Sequence, residues 1–472
     1  MANVTHIAVV PSPGFSHLVP IVEFTKRLVE HHPNFHVTCI VPSLGSPPYS
    51  SKVYVKTLPS NMDFIFLPPI NKEQLPQGAY PGTLIQLTIT FSLPSIHEAL
   101  KSLSCKSPLT ALVVDVFAFQ ALHFAKEFNA LSYVYFPGAA MVLSLFLHMP
   151  NLDEQVSGEY KDLTEPIELP GCVPLQGCDL PAPTQNRSSE AYKHFLERAK
   201  GMLIADGILI NTFLEMESGA IRALEELGND KIKIYSVGPI TLKGPSNEVD
   251  DSNECLRWLD NKPPSSVLYV SFGSGGTLSQ HQINELALGL ELSGQMFLWV
   301  LRAPSDSVNA AYLEAANEED PLQFLPDGFL ERTKEQGLVV PSWAPQVQIL
   351  SHKSVGGFLS HCGWNSILES VQEGVPLITW PLFAEQRMNA VMLTDGLKVA
   401  LKPKVNEDGI VEKDEIAKVI KCLMKCEEGK GMRKRIRELK DSAVNAYKHG
   451  SSIQTLSQLA SQWENLDGIF GK

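Results

Sequence analysis

Short apolar runs rich in β-branched residues alternate with longer amphipathic stretches along most of the chain. The runs HIAVV, HVTCIVP, ALVVD and SYVYF occur in the first part, and SVLYVSFGS, FLWVLR, GGFLSH and PLITWP occur after residue 265. Buried parallel strands have such continuous apolar runs, and helices are needed to connect them. The pattern therefore predicts an α/β fold, and its return predicts a second α/β domain.

The division of the chain follows from its length and from one polar segment. With 472 residues, the chain is too long for one compact core. Gly, Pro, Ser, Asn and acidic residues dominate 241–254 and predict a linker. We expect an N-terminal domain over 1–240 and a C-terminal domain over 255–450. Apolar residues at helical spacing in 451–472 predict a last helix, which we expect to pack back on the N-terminal domain.

Charge and cysteine usage limit the possible partners and compartment. A formal net charge of -13 argues against nucleic acid as a partner, because phosphate contacts need clustered Lys and Arg. The eight cysteines contain no CxxC pair and no zinc-type spacing, as is typical of reduced cytosolic thiols. The start lacks the features of a secretory signal, and the apolar stretch 139–149 is too short to span a bilayer. We therefore expect a cytoplasmic protein without a transmembrane segment.

The stretch HCGWNSILESVQEG follows the strand GGFLS and predicts a helix that begins near Trp364. Backbone N–H groups and the helix dipole make such a start a site for an anion. Asn365 and Ser366 add side-chain donors, and His361 precedes the turn. Glu369 lies one turn deeper on the same face, where a carboxylate suits a ribose diol better than a phosphate. Alternatively, Asn365 and Ser366 only cap the helix.

Three further strand ends carry residues that suit a nucleotide sugar. Trp343 follows the strand GLVVPS and can stack on a base, while Gln346 can bind the polar edge of the base or its sugar. Glu385 and Gln386 follow PLITWP, and a carboxylate beside an amide suits the hydroxyls of a hexose. Ser274 lies in the glycine-rich turn SFGSGG and can donate to a phosphate. Such a turn is as often purely structural.

One histidine and one aspartate stand out in the first half of the chain. His17 lies where the loop VPSPG gives way to a helix, whose dipole disfavours the imidazolium form. Asp115 ends the strand ALVVD at the carboxyl edge of the same predicted sheet, where α/β proteins bind ligands. An Asp bonded to one imidazole nitrogen would leave the other nitrogen as a base. By itself, His17 could equally be a capping or surface residue.

The segment 343–386, from WAPQ to FAEQ, resembles the signature of plant UDP-sugar-dependent glycosyltransferases of secondary metabolism. The resemblance extends to SVGPI, RWLD, SFGSGG and LPDGFLERT, and it is greatest to the branch of hydroquinone and other small-phenol glucosyltransferases. It implies the GT-B fold, two Rossmann-like, doubly wound domains facing across a cleft. The implied reaction is inverting O-glucosylation from UDP-glucose, with His17 as base and Asp115 as its partner.

The resemblance also implies a donor site. Uracil would bind to Trp343 and to the backbone of Ala344, and ribose to Gln346 and Glu369. The diphosphate would bind to Ser274, His361, Asn365 and Ser366. The sugar would contact Trp364, Glu385 and Gln386, and Gly363 of the same signature is a further donor-binding residue. The final Gln, where some galactose users carry His, favours UDP-glucose.

The acceptor is less constrained than the donor. Gly14, Tyr80, Phe117, Phe119 and Phe136 are candidate acceptor-binding residues, although core packing explains the aromatic ones at least as well. A phenol such as hydroquinone or a phenylpropanoid is the expected acceptor. A flavonoid or isoflavone is the alternative.

The sequence also bears on two alternative classes of protein and on the need for a metal or cofactor. An NAD-dependent dehydrogenase is disfavoured, because neither GxGxxG nor a following acidic residue accompanies the first strand. A non-catalytic UDP-sugar-binding protein is disfavoured by His17 together with Asp115. No DxD follows a strand, and the helix start with its donors can meet the diphosphate charge. We therefore expect no metal and no cofactor, and we expect a monomer that binds only its small-molecule substrates.

Overall fold

The computed structural model describes residues 4–45, 54–228, 232–242, 254–309 and 320–470. They form two compact units, each built around one parallel β-sheet. The prediction of two doubly wound α/β domains is therefore confirmed.

The sheet of the first unit has seven parallel strands in the order β3-β2-β1-β4-β5-β6-β7. Its strands are β1 (Thr5–Val10), β2 (Phe35–Val41), β3 (Met62–Phe66), β4 (Ala111–Asp115), β5 (Leu131–Phe136), β6 (Gly207–Ile210) and β7 (Lys233–Ser236). Every residue of β1 and β4 is buried. This explains their continuous apolar sequences, because both faces of a strand in a covered parallel sheet lie in the core.

Helices connect these strands. The α-helices of the first unit are Phe15–His31, Pro81–Ser104, His123–Glu127, Ala140–Gln155, Glu190–Gly201, Ser218–Gly228 and Ser451–Phe470, with the end of Glu427–Lys448. Short 3₁₀ helices span Lys72–Gln74, Val116–Leu122, Tyr160–Asp162, Gly177–Asp179, Ala182–Gln185 and Met202–Ile204.

The last helix, Ser451–Phe470, belongs to the core of the first unit. The ring of Trp463 is fully buried and lies 6.2 Å from that of Phe35 and 5.2 Å from that of Tyr133, between centroids. Tyr235 donates its hydroxyl to Gln462 at 2.9 Å. The C-terminal segment thus completes a core whose other members come from the first half of the chain.

The chain re-enters the first unit at Asn445 rather than at 451, the boundary expected from the sequence. The change falls inside the continuous helix Glu427–Lys448, which has no break at that point. Arg27 donates to the Tyr447 carbonyl oxygen and lies 3.8 Å from the centre of the Tyr447 ring. These contacts attach the last helical turn to the first unit, and no feature of the local sequence marks them.

The second unit contains Asp179–Ala182 and the chain from the first unit's end at Leu242 to Val444. Its parallel sheet has the order β10-β9-β8-β11-β12-β13. The strands are β8 (Val267–Ser271), β9 (Met296–Leu301), β10 (Gly337–Pro341), β11 (Val355–Ser360), β12 (Leu377–Thr379) and β13 (Ala400–Leu401). Of the linker predicted at 241–254, residues 243–253 lie outside the described residues.

Helices alternate with the strands of the second unit along the chain and pack on both faces of its sheet. They are Glu254–Asp260, Gln280–Ser293, Phe329–Thr333, Gln346–Ser351, Trp364–Glu373, Gln386–Val391, Lys413–Lys425 and most of Glu427–Lys448, with a 3₁₀ helix at Pro321–Phe324 and a π-helical turn at Met392–Gly396. The helix Gln280–Ser293 is capped by Ser279, whose hydroxyl accepts from the Gln282 N–H at 3.3 Å. Gly294 ends it in a left-handed conformation.

Candidate active site

The strand order reverses once in each sheet, and several of the predicted site residues follow the strands at these two places. In the first sheet β1 lies beside β4, with Val10 paired to Val114. In the second, β8 lies beside β11, with Ser271 paired to Ser360. Ligands of open α/β sheets bind outside the carboxyl ends of strands where the order reverses. The loops after these four strands are therefore the candidate sites.

His17 and Asp115 meet at the switch point of the first sheet. His17 lies in the first turn of the helix that follows β1, and Asp115 ends β4. The distance from His17 Nδ1 to Asp115 Oδ2 is 3.0 Å, with the carboxylate fully buried and the imidazole 15% exposed. Because a carboxylate only accepts, the ring hydrogen lies on Nδ1 and the lone pair on Nε2. This is the arrangement of a general base with its orienting carboxylate.

Two further donors hold Asp115. The Ser12 hydroxyl and the Phe117 backbone N–H both donate to Oδ1, the latter at 3.1 Å. A buried carboxylate needs such hydrogen bonds to offset the loss of its hydration. Ser12 was not predicted as a site residue, because its contact joins residues 103 positions apart.

Aromatic side chains adjoin the His17 ring. The Phe117 ring meets it edge-on, with centroids 5.1 Å apart and planes at 83°. A Cβ on Gly82 would lie 3.3 Å from ring atoms of both Phe117 and Tyr80, so these two rings are close neighbours. Gly14 precedes the helix with a φ of 106°, and its carbonyl oxygen accepts from the His17 N–H at 3.2 Å. Of the five predicted acceptor residues, Gly14 and Phe117 therefore contact His17, and Tyr80 lies beside Phe117.

The other two predicted acceptor residues, Phe119 and Phe136, are core residues. A Cβ on Gly201 would lie 2.1 Å from the Phe119 ring, so this ring packs directly on the helix Glu190–Gly201. Phe136 packs edge-on against Phe146, with centroids 5.4 Å apart. Their side chains are buried. Packing therefore accounts for both, which is the alternative that the sequence left open.

A buried cation supports the Phe117 ring. The Arg198 guanidinium carbon lies 4.4 Å from the ring centroid, and Nη1 donates to Gln86 Oε1 at 2.6 Å. Burial lowers the pKa of Arg198 to about 10, with Tyr80 and Asp115 among the groups that oppose this shift. The side chain is thus charged at neutral pH and in position for a cation–π contact. Nothing in the local sequence distinguishes it from a surface arginine.

The second unit places a helix start where the sequence predicted an anion site. The helix Trp364–Glu373 begins after Gly363, whose carbonyl oxygen accepts from the Ile367 N–H at 3.1 Å. The N–H groups of its first turn point toward the end of β11. Together with the positive end of the helix dipole they favour an anion such as a diphosphate.

The His361 ring lies between two glycines beside this helix start. A Cβ on Gly273 would lie 2.5 Å from the ring, and one on Gly363 would lie 2.4 Å from its Nε2. Gly273 also has a φ of 72°, which favours glycine. Burial, helped by the Arg302 cation, lowers the pKa of His361 to about 4. The ring is therefore neutral at physiological pH and has one N–H to donate to an anion.

The predicted ribose ligands form one hydrogen-bonded group. Gln346 Nε2 donates to Ser366 Oγ at 2.8 Å and to Glu369 Oε2 at 2.7 Å. Burial raises the pKa of Glu369 to about 7, although the Gln346 hydrogen bond opposes this shift. Gln346 donates one hydrogen bond to this carboxyl group. A diol that donates hydrogen bonds would stabilise its carboxylate form.

Trp343 has the exposure expected of a base-stacking residue. It follows β10 and Ser342, a residue with a φ of 63°, and 70% of its surface is accessible. An indole ring left this exposed is available to stack on a flat base. Ala344, beside it, is buried, and Ser274 is exposed in the loop that follows β8.

The side-chain carbonyl of Gln386 holds the loop after β12. Its Oε1 accepts from the backbone N–H groups of Leu382 at 2.8 Å and Phe383 at 3.0 Å. Since this oxygen is already used, the amide nitrogen is the part of Gln386 that can contact a sugar hydroxyl.

Asn389 joins the same loop to the turn before the phosphate-binding helix. Its Nδ2 donates to the Cys362 carbonyl oxygen at 3.0 Å and approaches Glu385 Oε1 at 3.5 Å. The residue is fully buried. It thereby links two groups of predicted ligands, and it was not among the residues predicted from the sequence.

The side chains of Trp364 and Cys362 are both buried in the protein. The Trp364 side chain is 3% exposed, so a contact with a sugar would have to use its backbone N–H. Cys362 is fully buried with a φ of 64°, and its thiol donates to the Ser360 carbonyl oxygen at 3.4 Å. Burial raises the pKa of this thiol to about 12. Cys362 is therefore a turn residue of the core, a role that the sequence did not reveal.

Neither a membrane-spanning helix nor a metal cluster is found in the part of the chain that the structure describes. No helix there is long and apolar enough to cross a bilayer. No group of three or more His, Cys, Asp or Glu side chains there is placed to hold a metal ion. Independence of a metal stays a prediction.

Known proteins resemble this chain in sequence and in structure. Residues 248–427 match the family model described as "UDP-glucoronosyl and UDP-glucosyl transferase". A hydroquinone glucosyltransferase from Rauvolfia serpentina is 52% identical, and the alignment covers 98% of this chain and 99% of that protein.

Two solved structures superpose on nearly the whole chain. Phytolacca americana UGT2, complexed with UDP-2fluoro-glucose and pterostilbene, is 46% identical with a TM-score of 0.89, covering 97% of this chain and 99% of the other. A UDP-glucosyltransferase from Polygonum tinctorium capable of glucosylating indoxyl, in complex with 3,4-dichloroaniline, is also 46% identical with a TM-score of 0.90, covering 98% of each chain.

Proposed function

The chain belongs to the family of UDP-glucuronosyl and UDP-glucosyl transferases, and from this premise we propose that it transfers glucose from UDP-glucose to a hydroxyl group of a small phenol. The fold is GT-B, and the chain is a UDP-glycosyltransferase. The expected product is a β-glucoside formed with inversion. The observation that carries catalysis, rather than binding alone, is the hydrogen bond between His17 and the buried Asp115.

The second unit holds the donor in this proposal. Uracil stacks on the exposed Trp343 ring, and the ribose diol donates to Glu369, which Gln346 already orients. The diphosphate lies at the start of the helix Trp364–Glu373, next to the neutral His361. The negative charge that develops on the leaving diphosphate is stabilised by donors that are in place before the reaction.

His17 removes the acceptor proton. The proton of the phenol moves to Nε2 while the phenol oxygen forms a bond to the anomeric carbon and the bond from that carbon to the diphosphate breaks. A phenol has a pKa near 10 and imidazolium one near 6.5, so full proton transfer before attack is unfavourable and the two steps are concerted. Asp115 keeps the ring in the required tautomer and stabilises the imidazolium that forms.

We propose that the reaction needs no divalent metal. The helix start and the N–H and hydroxyl donors beside it can meet the diphosphate charge. A chelator such as EDTA is therefore expected to leave the rate of UDP release unchanged, and full loss of activity that Mg²⁺ restores would contradict this proposal.

The hydroquinone glucosyltransferase relative supports a small one-ring phenol as the acceptor. Phe117 beside His17, with Tyr80 next to it, provides a flat aromatic surface for such a ring. A flavonoid is the second candidate, because the aromatic surface by itself does not limit the number of rings.

We further propose that the enzyme is a cytoplasmic monomer. The eight cysteines without a CxxC pair support a reducing compartment. Light scattering coupled to gel filtration tests the oligomeric state, and fractionation of cells that express a tagged chain tests the compartment.

The decisive experiment combines an acceptor panel with one variant. The purified chain is incubated with UDP-glucose and hydroquinone, a phenylpropanoid or a flavonoid, and UDP release and the glucoside are measured. We expect turnover with small phenols, and a loss of about 10² to 10⁴ in kcat for His17→Ala with UDP affinity unchanged. UDP binding without release with any acceptor would identify a binding protein, and full turnover by His17→Ala would refute the base assignment.

A further inference from the structure

Arg302 follows the second strand from one edge of the second sheet. It directly follows β9, and β9 lies between β8 and β10. The loop after β8 contains Gly273 and Ser274, and the loop after β10 contains Ser342 and Trp343. These loops bind opposite ends of the donor nucleotide in the proposed function, the diphosphate and the uracil.

The guanidinium group of Arg302 is bonded to both loops. Nη1 donates to the Gly273 carbonyl oxygen, and Nη2 donates to the Ser342 carbonyl oxygen at 3.0 Å. The planar group thus spans the end of β9 and joins its two neighbours with one side chain. The rigid fork of a guanidinium group suits this arrangement, because its two terminal nitrogens donate in fixed directions.

Both bonded carbonyls belong to residues in the left-handed region. Gly273 has a φ of 72° and Ser342 a φ of 63°. A left-handed conformation is unfavourable for serine by about 1 kcal/mol and persists only where surrounding contacts determine it. The Ser342 N–H also donates to the Leu301 carbonyl oxygen at 2.7 Å. The turn that presents Trp343 is therefore held from β9 on both its N–H and its carbonyl side.

The charge of Arg302 is not used in an ion pair within the described residues. The salt bridges found there do not include it, and the guanidinium is only partly exposed. Burial lowers the pKa of Arg302, although the group stays cationic at neutral pH. This positive charge helps to lower the pKa of His361. Backbone carbonyl dipoles are thus the main partners of Arg302, which is the expected result when the group's role is to orient backbone.

We propose that Arg302 is a positioning residue for the donor nucleotide. By holding the carbonyls of Gly273 and Ser342, it fixes the spacing between the loop that binds the diphosphate and the Trp343 ring that binds uracil. UDP can then bind to both loops at once, and binding does not cost the conformational entropy of ordering either loop. This inference rests on the proposed donor site and concerns a residue outside the 343–386 segment.

The test compares Arg302→Gln and Arg302→Lys with an arginine elsewhere in the same unit. Arg332 is paired with Glu291 at 2.7 Å on the surface, so Arg332→Gln is the matched control. Calorimetry measures the Kd for UDP, and initial rates give KM for UDP-glucose and kcat. For Arg302→Gln we expect Kd and KM to rise about tenfold or more, because hydrogen bonds to a charged group are lost, while kcat at saturation changes little. Arg332→Gln is expected to match the wild type.

Arg302→Lys separates geometry from charge. Lysine keeps the positive charge and loses the fork, so it is expected to recover little of the lost affinity. Full recovery of UDP affinity by lysine would overturn the positioning role. If Arg302→Gln does not fold by circular dichroism, the lysine variant carries the same measurements.

A double-mutant cycle with Trp343→Ala tests whether Arg302 acts through the uracil loop. If it does, Arg302→Gln weakens UDP binding by about threefold or less in the Trp343→Ala background, since coupled residues are non-additive. An unchanged tenfold effect in that background would refute the inference. Failure of the wild type to bind UDP would instead remove the proposed function, so the two failures are distinguishable.

Discussion

The partly enclosed carboxyl group of Glu369 leads to a prediction that links stability to function. Burial raises the pKa of Glu369 from its ordinary value of 4.5 to about 7. The folded chain therefore holds this proton more tightly than the unfolded chain does. The stability contributed by this group is greatest at low pH, falls as pH rises between about 4.5 and 7, and stays low above pH 7.

The substitution Glu369→Gln removes the charge and keeps the shape. At pH 8 the ionised carboxylate disfavours the folded state by up to about 3 kcal/mol, at 1.36 kcal/mol per pH unit. At pH 5 the same penalty is below about 1 kcal/mol, because the folded group is already protonated. The free energy of unfolding of the variant should therefore exceed that of the wild type at both pH values. This excess should be about 2.5 kcal/mol larger at pH 8 than at pH 5.

Thermal unfolding at the two pH values measures this gain. For a unit of this size, 2.5 kcal/mol corresponds to a difference of about 5 to 10 °C in the Tm shift. UDP affinity should move the other way, falling about tenfold to a hundredfold, because the ribose diol loses a charged acceptor.

Glu373 provides the control. It lies in the same helix, and Glu373→Gln removes a partner of Lys440 at the surface. This variant should show no loss of UDP affinity. If Glu369→Gln gave the same stability difference at pH 5 and pH 8, the inferred burial of charge would be wrong. If its UDP affinity were unchanged, Glu369 would not bind the ribose.

Three further substitutions test other parts of the structure. Gly273→Ala should raise KM for UDP-glucose about tenfold, because its Cβ would displace the His361 ring. Gly294→Ala is the control and should leave KM unchanged, because Gly294 has a similar positive φ but open space around its Cβ position. Asp115→Asn should lower kcat by roughly 10⁴ without changing UDP affinity, measured by steady-state kinetics and calorimetry, because the wrong imidazole tautomer is favoured. Trp463→Ala should destabilise the first unit by about 3 to 5 kcal/mol in denaturant unfolding, while UDP binding to the folded protein persists.

The fold could be predicted because short continuous segments of the sequence show where the buried strands are. β1, β4, β8 and β11 are buried on both faces, and their sequences show it directly as apolar runs. The two-residue strand β13 is too short to produce such a pattern. The chain returns to the first unit at Asn445, close to the expected boundary at 451, and the contact of Arg27 with Tyr447 at this point joins residues far apart in the sequence.

The site was predictable to the extent that strand ends and helix starts define it. Glycine next to a strand end marks where backbone approaches a ligand or a ring, as Gly273 and Gly363 do around His361. Ser12 and Asn389 were missed, because a serine or an asparagine gains such a role only through a partner that folding brings near. Whether an aromatic residue such as Phe117 or Phe119 binds a ligand or packs in the core is equally non-local, so the sequence left both interpretations open.

The two histidines show how one topological position serves two kinds of chemistry. His17 and His361 each follow a strand beside the switch point of their sheet. His17 has the buried carboxylate of Asp115 as its partner, which stabilises the protonated ring and so permits proton transfer. His361 is buried between two glycines, and this burial, helped by the Arg302 cation, lowers its pKa, so the ring stays neutral and can only donate or accept a hydrogen bond. Placement in the fold puts both at strand ends, and burial together with the charge of a nearby side chain distinguishes them, so that in the proposed function only His17 acts as the base.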